Sequence, residues 1–254
     1  MIEEVFADGD SVIHQVDPRF KLVAAIGFSL VVAVSHRFPT LLGALIVAAA
    51  LVFAARLNLL MVLRRLLVVV GFLILLWVIL PFSVAGPNLY RIGSLVITRP
   101  GSILAAQISL KSLAILAAFI ALVATMNFSI LGHALDGLHL PTKLVCLLLF
   151  TYRYIFVIEQ EYQRLVRACR VRGFRPRTDM HTYKTIAYLI AMLFVRAAVR
   201  AERVEQAMRC RGFNGRFYCL ADFPSDLRHW LFAVIMVCLV SGLVLLEMWE
   251  SSLI

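Results

Sequence analysis

Acidic residues are scarce in this 254-residue chain, which has 15 aspartates and glutamates against 25 lysines and arginines. Charged residues of both signs make up only 16% of the sequence, where a soluble domain has about 25%. Apolar residues reach 62%, and the mean hydropathy is +0.90. This composition excludes an ordinary soluble domain and predicts an all-α polytopic membrane protein.

Paired cysteines are also missing. The cysteines show no Cys-x-x-Cys spacing, so the sequence indicates neither a disulfide framework nor a zinc site. We expect the chain to hold no cofactor and no resident metal. The five residues concerned are Cys146, Cys169, Cys210, Cys219 and Cys238.

Two further sequence signals are absent. A phosphate-binding loop needs Gly-x-x-x-x-Gly-Lys-Ser/Thr, but the nearest spacing, from Gly132 to Gly137, is followed by Leu138 instead of lysine. We therefore expect no ATP hydrolysis and no enzymatic activity in this chain. A secretory signal begins with basic residues, whereas the first ones here are Arg19 and Lys21, so we expect no cleaved signal peptide.

Apolar segments dominate what is present, and they predict about five transmembrane helices. The first two segments are short and are separated by a polar break at residues 35–39. These two segments can therefore be interpreted either as two separate spans or as a re-entrant hairpin. The five segments are 22–34, 40–55, 66–82, 103–126 and 229–247.

The fourth segment contains Lys111. A lysine at the centre of a span costs about 2.5–3.5 kcal/mol on the insertion scale. We expect Lys111 to extend towards the membrane surface, or the span to begin nearer Ser112. The alternative is a functional role inside the membrane.

Basic residues are concentrated between the fourth and fifth spans. Sixteen of the 25 lysines and arginines lie in residues 127–228, and the positive-inside rule places such a region in the cytoplasm. The sequence thus divides into a leader with four spans (1–126), a cytoplasmic region of amphipathic helices (127–228) and a last span (229–254). With five spans, we expect a cytoplasmic N-terminus and an external C-terminus.

A repeat within the basic region is the clearest functional signal. The pattern of residues 164–174 (RLVRACRVRGF) returns further along the chain in residues 203–213 (RVEQAMRCRGF). Apolar residues spaced by three and four before each copy predict a helix that ends at the glycine. The matched pairs are Arg164/Arg203, Ala168/Ala207, Arg170/Arg209, Arg172/Arg211, Gly173/Gly212 and Phe174/Phe213.

An arginine before a terminal glycine has two explanations. Arginine in the last turn stabilises the negative end of the helix dipole, and glycine lets the chain leave in a left-handed conformation. Because two copies match in register, we favour a binding role as well. A guanidinium group suits carboxylates or carbonyls in the groove of a partner, and the small Ala168 and Ala207 would allow close packing one turn earlier.

With these motifs, the chain resembles the transmembrane T subunit of energy-coupling factor transporters, most closely the cobalt or nickel branch of the CbiQ type. The resemblance covers nearly the whole length. It includes Asp-Pro-Arg-Phe-Lys at 17–21, Phe-Thr-Tyr-Arg-Tyr at 150–154 and both Arg-Gly pairs. The family consensus at these pairs is Ala-Arg-Gly, and Val171 and Cys210 depart from it at the first position.

The resemblance implies a non-catalytic coupling subunit in the cell inner membrane, embedded in the lipid bilayer. Two helices of such a subunit dock into two ABC-type ATPase subunits. ATP-driven motion is then relayed to a separate membrane subunit that binds cobalt or nickel, with a link to cobalamin biosynthesis. The implied ATPase-coupling residues are Arg172, Gly173, Arg211, Gly212, Ala168, Ala207, Arg170 and Arg209.

A stand-alone metal ion permease is the main alternative. It would bind the ion itself through His133, Asp136 and His139, of which the first two can share a helical face. The predicted spans carry no histidine, aspartate or glutamate in their interiors, which makes a poor path for an ion.

Two other interpretations are weaker still. Ser11, His14 and Asp17 contain the residue types of a catalytic triad, but their spacing fits no nucleophile elbow. Nucleic-acid binding would need stacking aromatic residues on a soluble fold. Positive-inside topology explains the same arginines, so we expect no nucleic-acid partner.

Overall fold

The computed structural model describes residues 11, 13, 16–84, 87–92, 95–138, 140–213 and 227–251. These residues are helical apart from turns and one short hairpin, so the predicted all-α class is confirmed. In chain order the helices are α1 (Pro18–Val34), α2 (Phe38–Ala54), α3 (Leu59–Ser83), α4 (Arg99–Leu122), α5 (Phe128–Gly137), α6 (Thr142–Val171), α7 (Met180–Cys210) and α8 (Leu227–Ser251).

An antiparallel hairpin between α3 and α4 is an element that we did not predict. It pairs β1 (Asn88–Ile92) with β2 (Leu95–Thr98), and Ile92 lies opposite Leu95. The sequence of β2, Leu-Val-Ile-Thr, is rich in β-branched residues and follows Gly-Ser, a pattern typical of a hairpin.

The chain separates into two compact units. Of the described residues, the bundle unit contains those up to Ala134 and from Leu227 onwards, and the arginine unit contains those from Leu135 to Phe213. The arginine unit contains α6 and α7, and it falls within the region 127–228 that we predicted to be cytoplasmic. That cytoplasmic placement stays a prediction.

Four of the described helices are long and apolar enough to cross a membrane, which makes the chain a multi-pass membrane protein. They are α3, α4 and, within α8, His229–Trp249, together with α7, which we predicted to be an amphipathic helix in the cytoplasm and not a span. The mean hydropathy is 2.8 in α3, 2.0 in α4 and 2.6 in α8, but only 1.4 in α7. The predicted spans at 66–82 and 229–247 lie inside α3 and α8, and the one at 103–126 lies mostly in α4.

The two short helices that begin the bundle, α1 and α2, have 17 residues each. At 1.5 Å per residue each is about 26 Å long, slightly less than the roughly 30 Å of a hydrocarbon core. The break between them at residues 35–37 falls within the predicted one. Whether they form two spans or a re-entrant hairpin stays open.

The core of the bundle unit is built on small residues of α4. Ala114, Ala117, Ala118 and Ala121 recur at helical spacing, are buried, and belong to one apolar cluster with residues of α1, α2 and α8. Small side chains let the backbones of membrane helices approach closely. This explains why α4 contacts α1, α2 and α3.

Polar groups of α4 and α8 hold the break between α1 and α2. Lys111 Nζ donates to the carbonyl of Ala33 at 2.8 Å, and Gln107 Nε2 donates to the carbonyl of His36 at 2.7 Å. The amide of His36 in turn donates to Glu247 Oε1 at 2.9 Å. Carbonyls in the last turn of a helix lack intrahelical partners, so Lys111 satisfies a group that α1 leaves free.

The start of α1 explains the Asp-Pro-Arg-Phe-Lys motif. Asp17 accepts a hydrogen bond from the amide of Arg19 at 2.9 Å, which is a helix N-cap, and a proline follows at the first helical position. The amide of Asp17 also donates to His229 Nδ1 at 3.2 Å. Phe20 and Trp230 have ring centroids 5.8 Å apart. The motif therefore fixes the beginning of α1 to the beginning of α8.

Candidate docking site at two helix ends

The helix α6 ends at the first Arg-Gly pair in a Schellman motif. Arg172 has φ −80° and ψ 11°, and Gly173 has a φ of +84°. The amide of Phe174 donates to the carbonyl of Cys169 at 3.1 Å, and the amide of Gly173 donates to the carbonyl of Arg170 at 3.0 Å. These two bonds satisfy carbonyls that the helix would otherwise leave free.

The helix α7 ends in the same way, at the second Arg-Gly pair. Arg211 has φ −91° and ψ 11°, and Gly212 has a φ of +81°. The amide of Phe213 donates to the carbonyl of Met208 at 3.1 Å, and that of Gly212 to the carbonyl of Arg209 at 3.0 Å. The predicted end of both helices at a left-handed glycine is confirmed.

The backbone conformation at these two positions requires glycine, whereas the packing around them does not. A Cβ atom added at Gly173 or Gly212 would meet no atom within 4 Å. The positive φ, however, lies in the region that an L side chain adopts only at a cost of about 1–2 kcal/mol. The glycines therefore fix where each chain segment turns and which side chains stand at the helix end.

The predicted docking side chains are accessible. All eight of the residues we predicted, four at each helix end, are exposed. Among the described residues, Arg172 and Arg211 have no ion-pair partner, whereas Arg209 pairs with Glu205 one turn earlier in α7. The two arginines before the glycines are thus free to bind an external acceptor.

An ion pair that we did not predict joins the two helices. Glu161 of α6 pairs with Arg196 of α7, and Arg164 lies 3.6 Å from the same carboxylate. The side chain of Glu161 is only 13% exposed. Glu161 corresponds to Arg200 in the second copy of the repeat, so the two copies carry opposite charges at this position. This difference was the one signal in the sequence that distinguished Glu161 from its neighbours.

The helices α6 and α7 line a common groove, and part of its wall comes from equivalent positions of the repeat. A groove of about 370 Å³ lies between them and is lined by both helices. Four repeat-related pairs contribute to its walls: Tyr154/Leu193, Val157/Arg196, Ile158/Ala197 and Glu161/Arg200.

The ion pair joins positions that are not equivalent in the repeat. Glu161 lies 11 residues before Arg172, and Arg196 lies 15 residues before Arg211. At 1.5 Å per residue the two helix segments beyond this contact, here called the arms, are about 16 and 22 Å long. The repeat therefore gives two arms that end alike, each with an exposed arginine before a left-handed glycine.

The candidate metal ligands are only partly placed. Asp136 lies in α5, while His139 and the side chain of His133 lie outside the described residues. In the part of the chain that the structure describes, no group of three histidines, cysteines or carboxylates is arranged to hold a metal ion. The permease thus stays an alternative.

The candidate catalytic trio is not assembled by the described residues either. The carboxylate of Asp17 caps α1, and Ser11 is buried. His14 lies outside the described residues. A structural role accounts for Asp17.

Comparison with known proteins agrees with the geometry. Residues 9–219 match the sequence model of the CbiQ family, described as "Cobalt transport protein". The chain is 27% identical over 228 residues to "Energy-coupling factor transporter transmembrane protein EcfT" of Bacillus subtilis (strain 168), covering 85% of both chains. The proteins of that name from Limosilactobacillus fermentum and Listeria innocua are 28% and 27% identical over 82% and 85% of both chains.

Proposed function

Because the chain belongs to the CbiQ family of cobalt transport proteins and is an energy-coupling factor transmembrane subunit, we propose that it couples two ATPases to metal uptake. In this role it relays the ATP-driven motion of two ABC-type ATPase subunits to a separate membrane subunit that binds cobalt or nickel. It neither hydrolyses ATP nor holds the metal tightly.

The observation that carries this proposal is the pair of matching helix ends. Arg172 and Arg211 are exposed on like Schellman motifs, each directly before a glycine with positive φ. Two identical ATPase subunits related by a two-fold axis present two equivalent surfaces. Two like helix ends fit that partner better than they fit a single asymmetric one.

The chemistry of the arm ends suits a protein groove. A guanidinium group offers a planar set of donors that matches a carboxylate or a row of carbonyls. Since the glycine fixes the chain reversal, each arginine stands at a defined place beside an exposed Val171 or Cys210. The eight predicted coupling residues, Arg172, Gly173, Arg211, Gly212, Ala168, Ala207, Arg170 and Arg209, form the two proposed contacts.

The ion pair at the crossing supports a relay of motion. Glu161 and Arg196 connect the two arms at the point where the helices meet. When ATP binding draws the two ATPase subunits together, the two arm ends approach, and the pair keeps the crossing from sliding. The movement then reaches the membrane subunit that captures the metal.

The proposal also fixes an orientation. The ATPases are on the cytoplasmic side, so the arginine unit lies in the cytoplasm, as the concentration of basic residues predicts. The N-terminus is on the same side, and the host membrane is the cell inner membrane.

Charge reversal at both arm ends tests the proposal. We expect Arg172→Glu with Arg211→Glu to abolish copurification with the ATPase subunits, because breaking one side of a buried, hydrogen-bonded charge pair costs about 2–5 kcal/mol. The measurement is a pull-down of the tagged chain coexpressed with its partner subunits, followed by cobalt and nickel uptake.

The matched control reverses two other exposed charges of the same unit. Arg167→Glu with Lys184→Glu gives the same change in net charge, and Arg167 corresponds to Gln206 in the repeat, so it lies outside the matched pattern. We expect this control to assemble. Normal assembly and uptake by the Arg172/Arg211 variant would show that the coupling assignment is wrong.

A further inference from the structure

A short linker, residues 173–179, leads from the docking end of α6 into α7. The docking end of α6 is Arg172 with Gly173, so the linker starts at the glycine itself. Since both helices are stiff, the path of the linker limits where Arg172 can stand relative to the start of α7. The contacts that hold the linker therefore bear on the proposed docking.

Thr182, in the first turn of α7, holds the middle of the linker. Its Oγ1 accepts a hydrogen bond from the amide of Arg177 at 3.1 Å. Thr182 is the third residue of the helix, the position from which a capping-box side chain reaches back to the N-cap amide. Here the hydroxyl reaches two residues further, past the N-cap residue Asp179. The bond thus closes the linker onto α7.

The hydroxyl of Thr182 is also buried. Thr182 is 6% exposed, and in α6 and α7, which the structure describes throughout, it is the one polar residue that is buried. Burying a hydroxyl costs free energy unless it is hydrogen-bonded. Valine has nearly the same shape without that cost, so packing alone does not require threonine here. The bond to the Arg177 amide gives the hydroxyl its role.

A second contact holds the beginning of the linker. The rings of Phe174 and His181 have centroids 6.5 Å apart. The amide of Phe174 also closes the Schellman motif at the end of α6, through its bond to the carbonyl of Cys169. The linker is therefore attached to the first turn of α7 at two points, Phe174 and Arg177.

We infer that Thr182 is a positioning residue for the docking end of α6, which holds the linker so that Arg172 is presented to one of the two ATPase subunits. This inference rests on the proposed function. In the repeat, Thr182 corresponds to Ala221, which has no hydroxyl to accept such a bond. The role therefore belongs to the end of α6 and not to that of α7.

Hydrogen exchange of the purified full-length chain in detergent tests the contact itself. Thr182→Val removes the acceptor and keeps the shape, so we expect the linker amides to exchange about fivefold faster, the effect of losing one ordinary hydrogen bond. Thr182→Ser should exchange like the unchanged chain. The matched control is Thr185→Val, because the hydroxyl of Thr185 bonds within α7, to the carbonyl of His181 at 2.8 Å.

Site-specific cross-linking tests the effect on docking. A photoreactive residue replaces the exposed Val171 or the exposed Cys210, each directly before a docking arginine, in the chain coexpressed with its partner subunits. We expect Thr182→Val to lower the yield of ATPase cross-links from position 171 about fivefold and to leave the yield from position 210 unchanged. A general loss of stability would lower both yields. Thr182→Ser and Thr185→Val should preserve both.

Four results would overturn the inference. They are unchanged exchange of the linker amides in Thr182→Val, an unchanged yield from position 171, an equal loss from positions 171 and 210, or the same loss from position 171 in Thr185→Val. A chain with Thr182 in place that gave no ATPase cross-link from either position would instead contradict the proposed function, and this inference with it.

Discussion

At the scale of single residues, the place of an arginine at a helix end matters more for the proposed docking than its charge does. The arginine unit has many exposed arginines, but only Arg172 and Arg211 stand immediately before a left-handed glycine. The backbone at Gly173 and Gly212 therefore decides which arginines are presented at a helix end. We expect a substitution that moves the chain reversal to remove the proposed contact without removing any charge.

The glycines give a residue-scale prediction. We expect Gly173→Ala and Gly212→Ala each to cost about 1–2 kcal/mol of local stability, since alanine is strained at positive φ, and to weaken assembly with the ATPases. Asparagine tolerates this region better than alanine does, so Gly173→Asn should lose less. Thermal unfolding in detergent and copurification of the ATPases measure the two effects.

The control for the glycines is Gly71→Ala in α3. A Cβ atom there also meets nothing within 4 Å, but no positive φ is present. Alanine is a better helix former than glycine, so this variant should be neutral or stabilising. Unchanged stability in Gly173→Ala and Gly212→Ala would argue that the left-handed cap is not needed.

At the scale of elements, α6 and α7 are joined by a pair of charges as well as by the groove between them. Glu161 is largely buried, while Arg196 is 48% exposed. Water therefore screens part of the attraction, and we expect the pair to resemble a surface ion pair more than a buried one. We expect its main effect to be on where the two helices cross.

A double-mutant cycle on this pair gives an element-scale prediction. We expect Glu161→Gln and Arg196→Gln to show a coupling free energy of about 0.5–1 kcal/mol, measured by thermal unfolding of the single and double variants. The variants should still bind the ATPases but transport less metal, because the arm ends are intact and the crossing is loosened.

The pair of Glu205 and Arg209 is the control for that cycle. It lies within one helix, one turn apart, and is exposed, so its removal should cost about 0.3–0.5 kcal/mol and leave transport unchanged. If the Glu205 and Arg209 variants lost as much transport as the Glu161 and Arg196 variants, the crossing would have no special role in relaying motion.

At the element scale, the spans and the helix ends could be predicted from the sequence, whereas contacts between distant elements could not, for physical reasons. Apolar runs such as 66–82 and the Arg-Gly pairs are local signals, so the spans and helix ends were predictable. The bond from Lys111 to the carbonyl of Ala33 joins residues 78 positions apart. A backbone carbonyl has no side-chain signature, so the sequence could not show this partner. The pairing of Glu161 with Arg196 likewise depends on where two helices cross.

At the scale of the whole molecule, the chain combines a membrane bundle with a unit that has an exposed arginine at each of two helix ends. No phosphate-binding loop occurs in its sequence. The coverage of the CbiQ family match, residues 9–219, includes parts of both units. The family match therefore applies to the chain as a whole and not to one unit alone.

At the scale of the whole molecule, we predict which proteins form a complex with this chain. We expect a tagged chain, extracted gently from its own membrane, to bring with it ATP-binding-cassette subunits and a small polytopic protein that mass spectrometry identifies. The two like helix ends predict two ATPase subunits for each copy of the chain.

The permease alternative makes the opposite prediction for that measurement. A chain that purified alone and carried cobalt or nickel, detected by elemental mass spectrometry, would overturn the coupling role. Loss of that metal in a His133→Ala, Asp136→Ala and His139→Ala variant would then identify the ligands.

The two helix ends are alike, but α6 and α7 are not symmetric about their contact. Eleven residues separate Glu161 from Arg172, and fifteen separate Arg196 from Arg211. In the proposed coupling role, one rotation at this contact would move the end of α7 further than the end of α6. Equal docking chemistry would then be combined with unequal travel of the two ends.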